Sequence, residues 1–451
     1  MSDTPRVVAK SALSRRIFVA GSLASAGAWL VPERAAALGR TPLGGTLRLA
    51  LPFASGELDP HLADDPLAAL LAPAVSDPLY ALDGTGNAYP ALAAELPQAT
   101  PAGARVVLRA GLKSARGKAL DARDVLFSLG RARERGGIAV LAELPVPVKD
   151  ATSALAVVFP GADPKAVAVA LASPLTALVP RGFKPSTPDG TGAFRATAGA
   201  TSLVLERNPN AARGPAFLAR IEVALVNELG EALRAFESER ADLGWLGAGL
   251  YRPRVGAVTF EGPTYGWVVL RAGREAQRWG APGVPQELLD RVPRDPLKHL
   301  GLVAPGGVTR AGAAWGGGNA ELLVSSAAPA LVELARNVAA AFSVAGQKVT
   351  TLALSPADFR ERRSTGKCAL LLDFVRSSGP PGRATLLSLL AAANPALVAR
   401  PPQAPSFEPL DVARTLPLGV LGSLRVAGAR LPDLRALESW QLGAVFRERP
   451  T

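Results

Sequence analysis

Cysteine, histidine and aromatic residues are all scarce in this sequence, and each scarcity closes a class of function. The 451 residues include one cysteine, Cys368, so neither an intrachain disulfide nor a multi-thiolate metal site can be built. Cys368 precedes the apolar run Ala369-Leu370-Leu371-Leu372 and reads as a buried small hydrophobe. The two histidines, His61 and His299, stand far apart, which speaks against a metal centre built by the protein itself. Aromatics make up 5% of the chain, and no recognition helix or zinc-finger pattern accompanies its formal net charge of +12. The arginines are scattered among acids, as in Arg131-Ala132-Arg133-Glu134-Arg135 and Arg360-Glu361-Arg362-Arg363. That is the pattern of a solvated surface, not of a phosphate-binding face, and nucleic acid is not an expected partner.

Catalytic motifs are missing as well. There is no G-x-S-x-G elbow, H-E-x-x-H pair or paired-cysteine motif. Gly111 to Lys118 resembles a phosphate loop, but five residues separate Gly111 from Gly117, and Ala119 replaces the Ser or Thr that would hold magnesium. The expectation is a non-enzyme with no cofactor and no metal. A secreted hydrolase working through dispersed Asp and Glu stays open as an alternative.

What is present is ordinary globular material, 48% hydrophobic and 20% charged, long enough for two or three lobes with their own cores. Its 45 glycines and 40 prolines imply many turns between short elements. Residues 1–37 read as an address. Ser14-Arg15-Arg16-Ile17-Phe18 looks like a twin-arginine export motif, an apolar stretch runs from Ile17 to Val31, and Ala35-Ala36-Ala37 offers a small-residue cleavage site. The stretch is short for a membrane span of about 20 residues, although an uncleaved anchor stays open. The mature chain is expected to be periplasmic.

Beyond the leader, hydrophobic periodicity alternates between strand and helix. Gly44–Leu51 reads as a strand that breaks at Pro52, followed by a helical stretch from Leu67 to Leu82 and the turn Asp83–Asn87. Asp121 is placed to cap a helix through Val125 and Leu129. Strands are expected at Val106–Arg109, Leu155–Phe159, Ser202–Arg207 and Ile221–Val226, with a helix over Leu229–Ser238. A later unit carries the strand Glu321–Val324, the helix Pro329–Val344 and the strand Val349–Leu354. It continues with a helix over Pro356–Arg363 and the strand Ala369–Leu372, an order that implies an α/β lobe. Pro401-Pro402-Gln403-Ala404-Pro405 reads as a linker, and no internal repeat is visible.

Taken in order, several segments carry a resemblance. They are Gly44-Gly45-Thr46-Leu47-Arg48, Leu58-Asp59-Pro60, Tyr80-Ala81-Leu82-Asp83, Leu120–Ser128, Gly190-Thr191-Gly192-Ala193-Phe194, Leu205-Glu206-Arg207-Asn208-Pro209 and Glu239-Arg240-Ala241-Asp242-Leu243. Together they resemble the family 5 extracellular solute-binding proteins, the group that includes oligopeptide, dipeptide and nickel binders. The likeness covers about residues 44–375 and thins after 265. It implies an α/β periplasmic-binding-protein fold, two lobes around a hinge and a ligand cleft, with an inserted domain in the first lobe. On that pattern lobe I takes residues 42–82, 185–262 and 401–451, the insertion 83–184, and lobe II 263–400. It further implies a monomer that delivers a peptide or other small solute to an ABC transporter permease. A degenerate homologue serving as a periplasmic sensor or interaction partner is the alternative. Two departures bear on the ligand. Leu288-Leu289-Asp290-Arg291 is a remnant of the family's arginine-rich helix, and Asp373-Phe374-Val375-Arg376 stands where the family has a Trp-Gly-Ala-Asp stretch.

The residues singled out for ligand contact follow from position. Phe53, Ser55 and Glu57 lie in the loop after the first strand, where open α/β sheets present their clefts, or are simply a solvated loop. Trp245 is either a stacking wall or core. Tyr265 and Trp267 sit at the expected crossover between lobes. Arg271 offers a planar fork for a carboxylate, or is a surface arginine. Asp373, Phe374 and Arg376 close the second-lobe strand, Asp373 being the nearest acid for a peptide amine.

Overall fold

The computed structural model describes residues 41–54, 57–245, 254, 256–307, 310–379, 382–398 and 407–448. Residues 1–37, read as an export signal, Ser55, and the Pro401–Pro405 segment read as a linker lie outside the described residues. One curled sheet of eleven strands dominates the rest. Thr46–Leu51 runs parallel to Arg220–Leu225 on one side and to Leu243–Trp245 on the other, with Arg220–Leu225 continuing antiparallel into Ser202–Arg207 and Phe194–Ala198. At the far end Ala320–Ser325 lies parallel to both Val349–Leu354 and Leu370–Arg376. Two long antiparallel strands, Val258–Ala272 and Leu418–Arg430, join these parallel sets. Their ladder slips at Glu261/Thr264, Thr264/Gly266 and Val268/Val269, which bends and twists the pair.

A separate antiparallel sheet is built from Gln98–Thr100, Gly103–Val107, Ala156–Pro160 and Val148–Lys149. The helices Ala122–Arg135 and Pro164–Ala170 pack on it, and Leu79 to Leu178 supply a core of their own. The first of these helices opens with a reciprocal capping box. Asp121 accepts from the Arg123 backbone N–H, and Asp124 accepts from the Asp121 N–H at 3.0 Å.

Most elements fall where the hydrophobic period places them, with two corrections. The helix expected over Leu67–Leu82 is Pro66–Val75 only; Tyr80–Leu82 is a strand paired with Ala88–Pro90. Asp77-Pro78 ends the apolar run, because the residue before a proline is pushed out of the helical region. The strand expected at Ala369–Leu372 continues to Arg376, so Asp373, Phe374 and Arg376 lie within it. The long strand Val258–Ala272 carries Pro263 inside one of its ladder slips, where the missing N–H breaks no regular pairing.

Gly190 and Gly192 are structural, but not for their backbone angles. Neither has a positive φ. A Cβ on Gly192 would stand 2.5 Å from the Ala74 carbonyl oxygen and 2.6 Å from the Val75 carbonyl carbon. The loop presses onto the end of the Pro66–Val75 helix, and the Gly192 N–H satisfies the terminal Val75 carbonyl at 2.8 Å.

Candidate functional site

Parallel strands end together, and their following loops meet above the sheet edge. Here the loop after Thr46–Leu51 meets the carboxyl ends of Ala320–Ser325 and Leu370–Arg376. The Ala54 N–H donates to the Ala327 carbonyl at 3.0 Å, and the Arg376 N–H to the Ala63 carbonyl at 2.6 Å. Two cavities lie at this junction. The smaller, about 230 Å³, is lined by Phe53, Glu57, Asp65, Arg360, Asp373 and Phe374 among others. The larger, about 620 Å³, is walled by the end of the Ala122–Arg135 helix, by Phe374–Arg376 and by the Arg383–Ala393 helix. Asp64, Arg135 and Phe374 line both.

An ionic bridge runs between the two cavities. Arg363 reaches Asp64 at 2.5 Å and Asp373 at 3.3 Å, and Arg271 pairs with Asp373 at 3.1 Å. Burial disfavours the Arg363 charge, but Asp373 and Asp64 outweigh it and hold the guanidinium above its usual range. Arg271 shifts the other way: burial pulls it down, and Asp373 offsets only part of the loss. Its Nε is buried without a hydrogen-bond partner among the described residues. Asp373, the acid expected to meet a ligand amine, is thus saturated by two internal arginines.

A second cluster fixes the loop itself. Arg131 donates two bonds of 2.6 Å to Asp59, and its Nη1 lies 2.9 Å from His61 Nδ1. An arginine can only donate, so Nδ1 accepts and the proton sits on Nε2, which donates to the Ala177 carbonyl at 2.8 Å. Burial then drives the His61 pKa down to about 4. Burial also pushes the Asp59 carboxyl up, but the Arg131 bonds and charge prevail and hold it below its ordinary value. Asp65 caps the Pro66–Val75 helix through the Ala68 N–H at 3.0 Å, and burial pushes it up to about 6.

The residues expected to contact ligand divide. Phe53, Glu57, Asp373 and Phe374 line the smaller cavity, and Arg271, Phe374 and Arg376 the larger. Trp245, Tyr265 and Trp267 line neither. Trp245 is fully buried, 5.4 Å from Trp440 and 6.4 Å from Tyr265 between ring centroids, and Trp267 is buried in a cluster with Val375 and Leu418. A strand turns alternate side chains to opposite faces, and these indoles face the packed layers. Sequence reasoning missed Asp64, Arg135, Arg360 and Arg363. Arg135 and Arg363 sat in the charge runs read as solvated surface, and only the chain's return brings them to one site. Among the described residues no three His, Cys, Asp or Glu side chains come together as a metal site, and no helix is long and apolar enough to cross a membrane.

No family model matches the sequence, and no curated protein does. Solved structures do. The Bacillus subtilis oligopeptide-binding protein AppA, in complex with a nonapeptide, superposes with a TM-score of 0.70 at 13% identity, covering 91% of this chain and 100% of AppA. Staphylococcus aureus NikA, in complex with Ni(L-His)2, gives 0.65 at 12% identity over 90% and 99%. The binding protein MoaA from A. tumefaciens R10, in complex with mannopinic acid, gives 0.67 at 16% identity over 90% and 100%. The chain has the α/β fold of the periplasmic binding proteins.

Proposed function

We propose that this chain, sharing the fold of the family 5 solute-binding proteins, is an exported member of that family that captures a small solute between two lobes for an ABC importer. The observation that carries the reading is the pair of cavities at the carboxyl ends of parallel strands from both halves of the sheet, crossed by the Asp64–Arg363–Asp373 bridge. We assign lobe I to residues 42–82, 185–262 and 401–451 and lobe II to 263–400, with residues 83–184 inserted. The long strands Val258–Ala272 and Leu418–Arg430 serve as the crossover, and their ladder slips give it freedom to bend. Closure needs contacts that exist only in the closed state. We assign Arg363 to that role, since Asp64 falls in lobe I and Asp373 in lobe II of this division.

The residues assigned to ligand contact are Phe53, Ser55, Glu57, Phe374 and Arg376, to which Arg135 and Arg360 are added, while Arg271 and Asp373 are assigned to the bridge between the cavities. Trp245, Tyr265 and Trp267 are assigned to the packing that supports the crossover. The chain acts as a binder, not an enzyme, and reaches the periplasm by the twin-arginine signal in residues 1–37. Native mass spectrometry of the protein purified from its own export compartment tests the reading. A bound small molecule, released on denaturation, is expected. An empty cleft together with no thermal stabilisation by a panel of peptides, metal chelates and organic acids overturns it, and leaves the degenerate-partner alternative.

A further inference from the structure

The larger cavity has an unbalanced wall. Five arginines line it, Arg133, Arg135, Arg271, Arg363 and Arg376, against two acids, Asp64 and Glu134. Three of the five are committed. Arg133 donates to the carbonyls of Leu141, Leu144 and Pro145, while Arg271 and Arg363 hold Asp373 and Asp64. The other two are not balanced by a carboxylate of their own. Arg376 is 2% exposed, and among the described residues its guanidinium makes one hydrogen bond, from Nη1 to the Pro60 carbonyl at 2.7 Å. Among the described residues Arg135 reaches only Asp59, at 3.4 Å, and Arg131 already saturates that carboxylate. Burial pulls the Arg376 guanidinium down to about 10, with Asp65 and Asp59 compensating only through space.

A desolvated cation without a paired anion is unfavourable, and a guanidinium's fork is matched by two oxygens of one carboxylate or phosphate. Across the cavity Ala391, Ala392 and Ala393 offer small apolar side chains to the body of a ligand. Resting on the solute-binding reading, we infer that the solute is a small organic anion whose carboxylate or phosphate oxygens are met by Arg376, with Arg135 at the rim. The anion completes a charge pair that the folded chain leaves open.

The test measures thermal stabilisation and calorimetric affinity of the full mature chain in three arms. The first holds succinate and citrate, the second glycerol 3-phosphate and inorganic phosphate, and the third a C-terminally amidated dipeptide and glucose. Binding in either anion arm, weakened about tenfold or more in Arg376→Met, is expected, and the arm that responds identifies the anion. Arg135→Ala, a half-exposed position, should weaken the same ligand by a smaller factor and guards against misfolding of the Arg376 variant. Binding confined to the third arm overturns the anion assignment while leaving the solute-binding reading intact. Unchanged anion affinity in both variants also overturns it. Silence in all three arms overturns the anion assignment, and only if the protein is also empty by mass spectrometry and ignores the peptide and metal-chelate panel does the solute-binding reading itself fall.

Discussion

Replacing Arg131 with methionine removes the cation that holds the cleft loop to the Ala122–Arg135 helix. Asp59 is 1% exposed and takes both of its strong bonds from Arg131, at 2.6 Å each. Methionine keeps much of the side-chain length beside the Phe183 ring, which the guanidinium now covers at 5.0 Å. Asp59 would retain the His61 N–H at 3.1 Å and the long Arg135 contact. Breaking a buried pair from one side costs about 3–5 kcal/mol, because the remaining charge is uncompensated. With Arg135 near, the lower end, about 3 kcal/mol, is expected from equilibrium urea unfolding at neutral pH. The pH dependence supplies the sharper check. In the native protein the folded carboxyl lies below its unfolded value, so its contribution is full above pH ~4 and is lost as pH falls through the folded value. In the variant burial prevails and the folded value rises. Its penalty is then full at neutral pH and fades as the carboxyl takes up a proton, so the two curves converge in acid. Adding Asp59→Asn should recover part of the loss. A penalty under about 1 kcal/mol at neutral pH, or one that does not change with pH, would refute the argument that this pair is desolvated.

Two further outcomes follow from the same contacts. Gly192→Ala should destabilise by about 1–3 kcal/mol in urea unfolding, since its Cβ would meet helix backbone that cannot yield; Gly84→Ala, with nothing within 4 Å, should change stability by less than about 0.5 kcal/mol. A loss at Gly84 equal to that at Gly192 would show that the close approach does not set the effect, since the entropic part of a Gly-to-Ala change stabilises. His61, held to a pKa of about 4 by burial, should stay neutral in its Nε2–H form down to pH ~5 in nitrogen–proton correlation spectra. Its contribution to stability is full above the unfolded value near 6.5 and is lost as pH falls toward about 4, and an imidazolium signal at pH ~6 would contradict it.

What the sequence determined by itself was local. Hydrophobic period placed Thr46–Leu51, Pro329–Phe342 and Val349–Leu354, and Asp121 announced a capped helix, because these patterns are read within one turn or one strand. It also singled out the loop after Pro52 and the segment from Asp373 to Arg376, which the structure brings together at the carboxyl ends of parallel strands. Only the tertiary structure decided which of the charged residues there are available. Asp64 and Arg363 are 299 residues apart, and Arg376 and Pro60 are 316 apart. No spacing rule relates such pairs. Whether a carboxylate is open to a ligand or consumed by an arginine depends on which side chains the fold returns to it. Burial by distant strands likewise sent Trp245 into the core and left Arg376 facing a cavity, because desolvation belongs to the packed chain and not to any stretch of it.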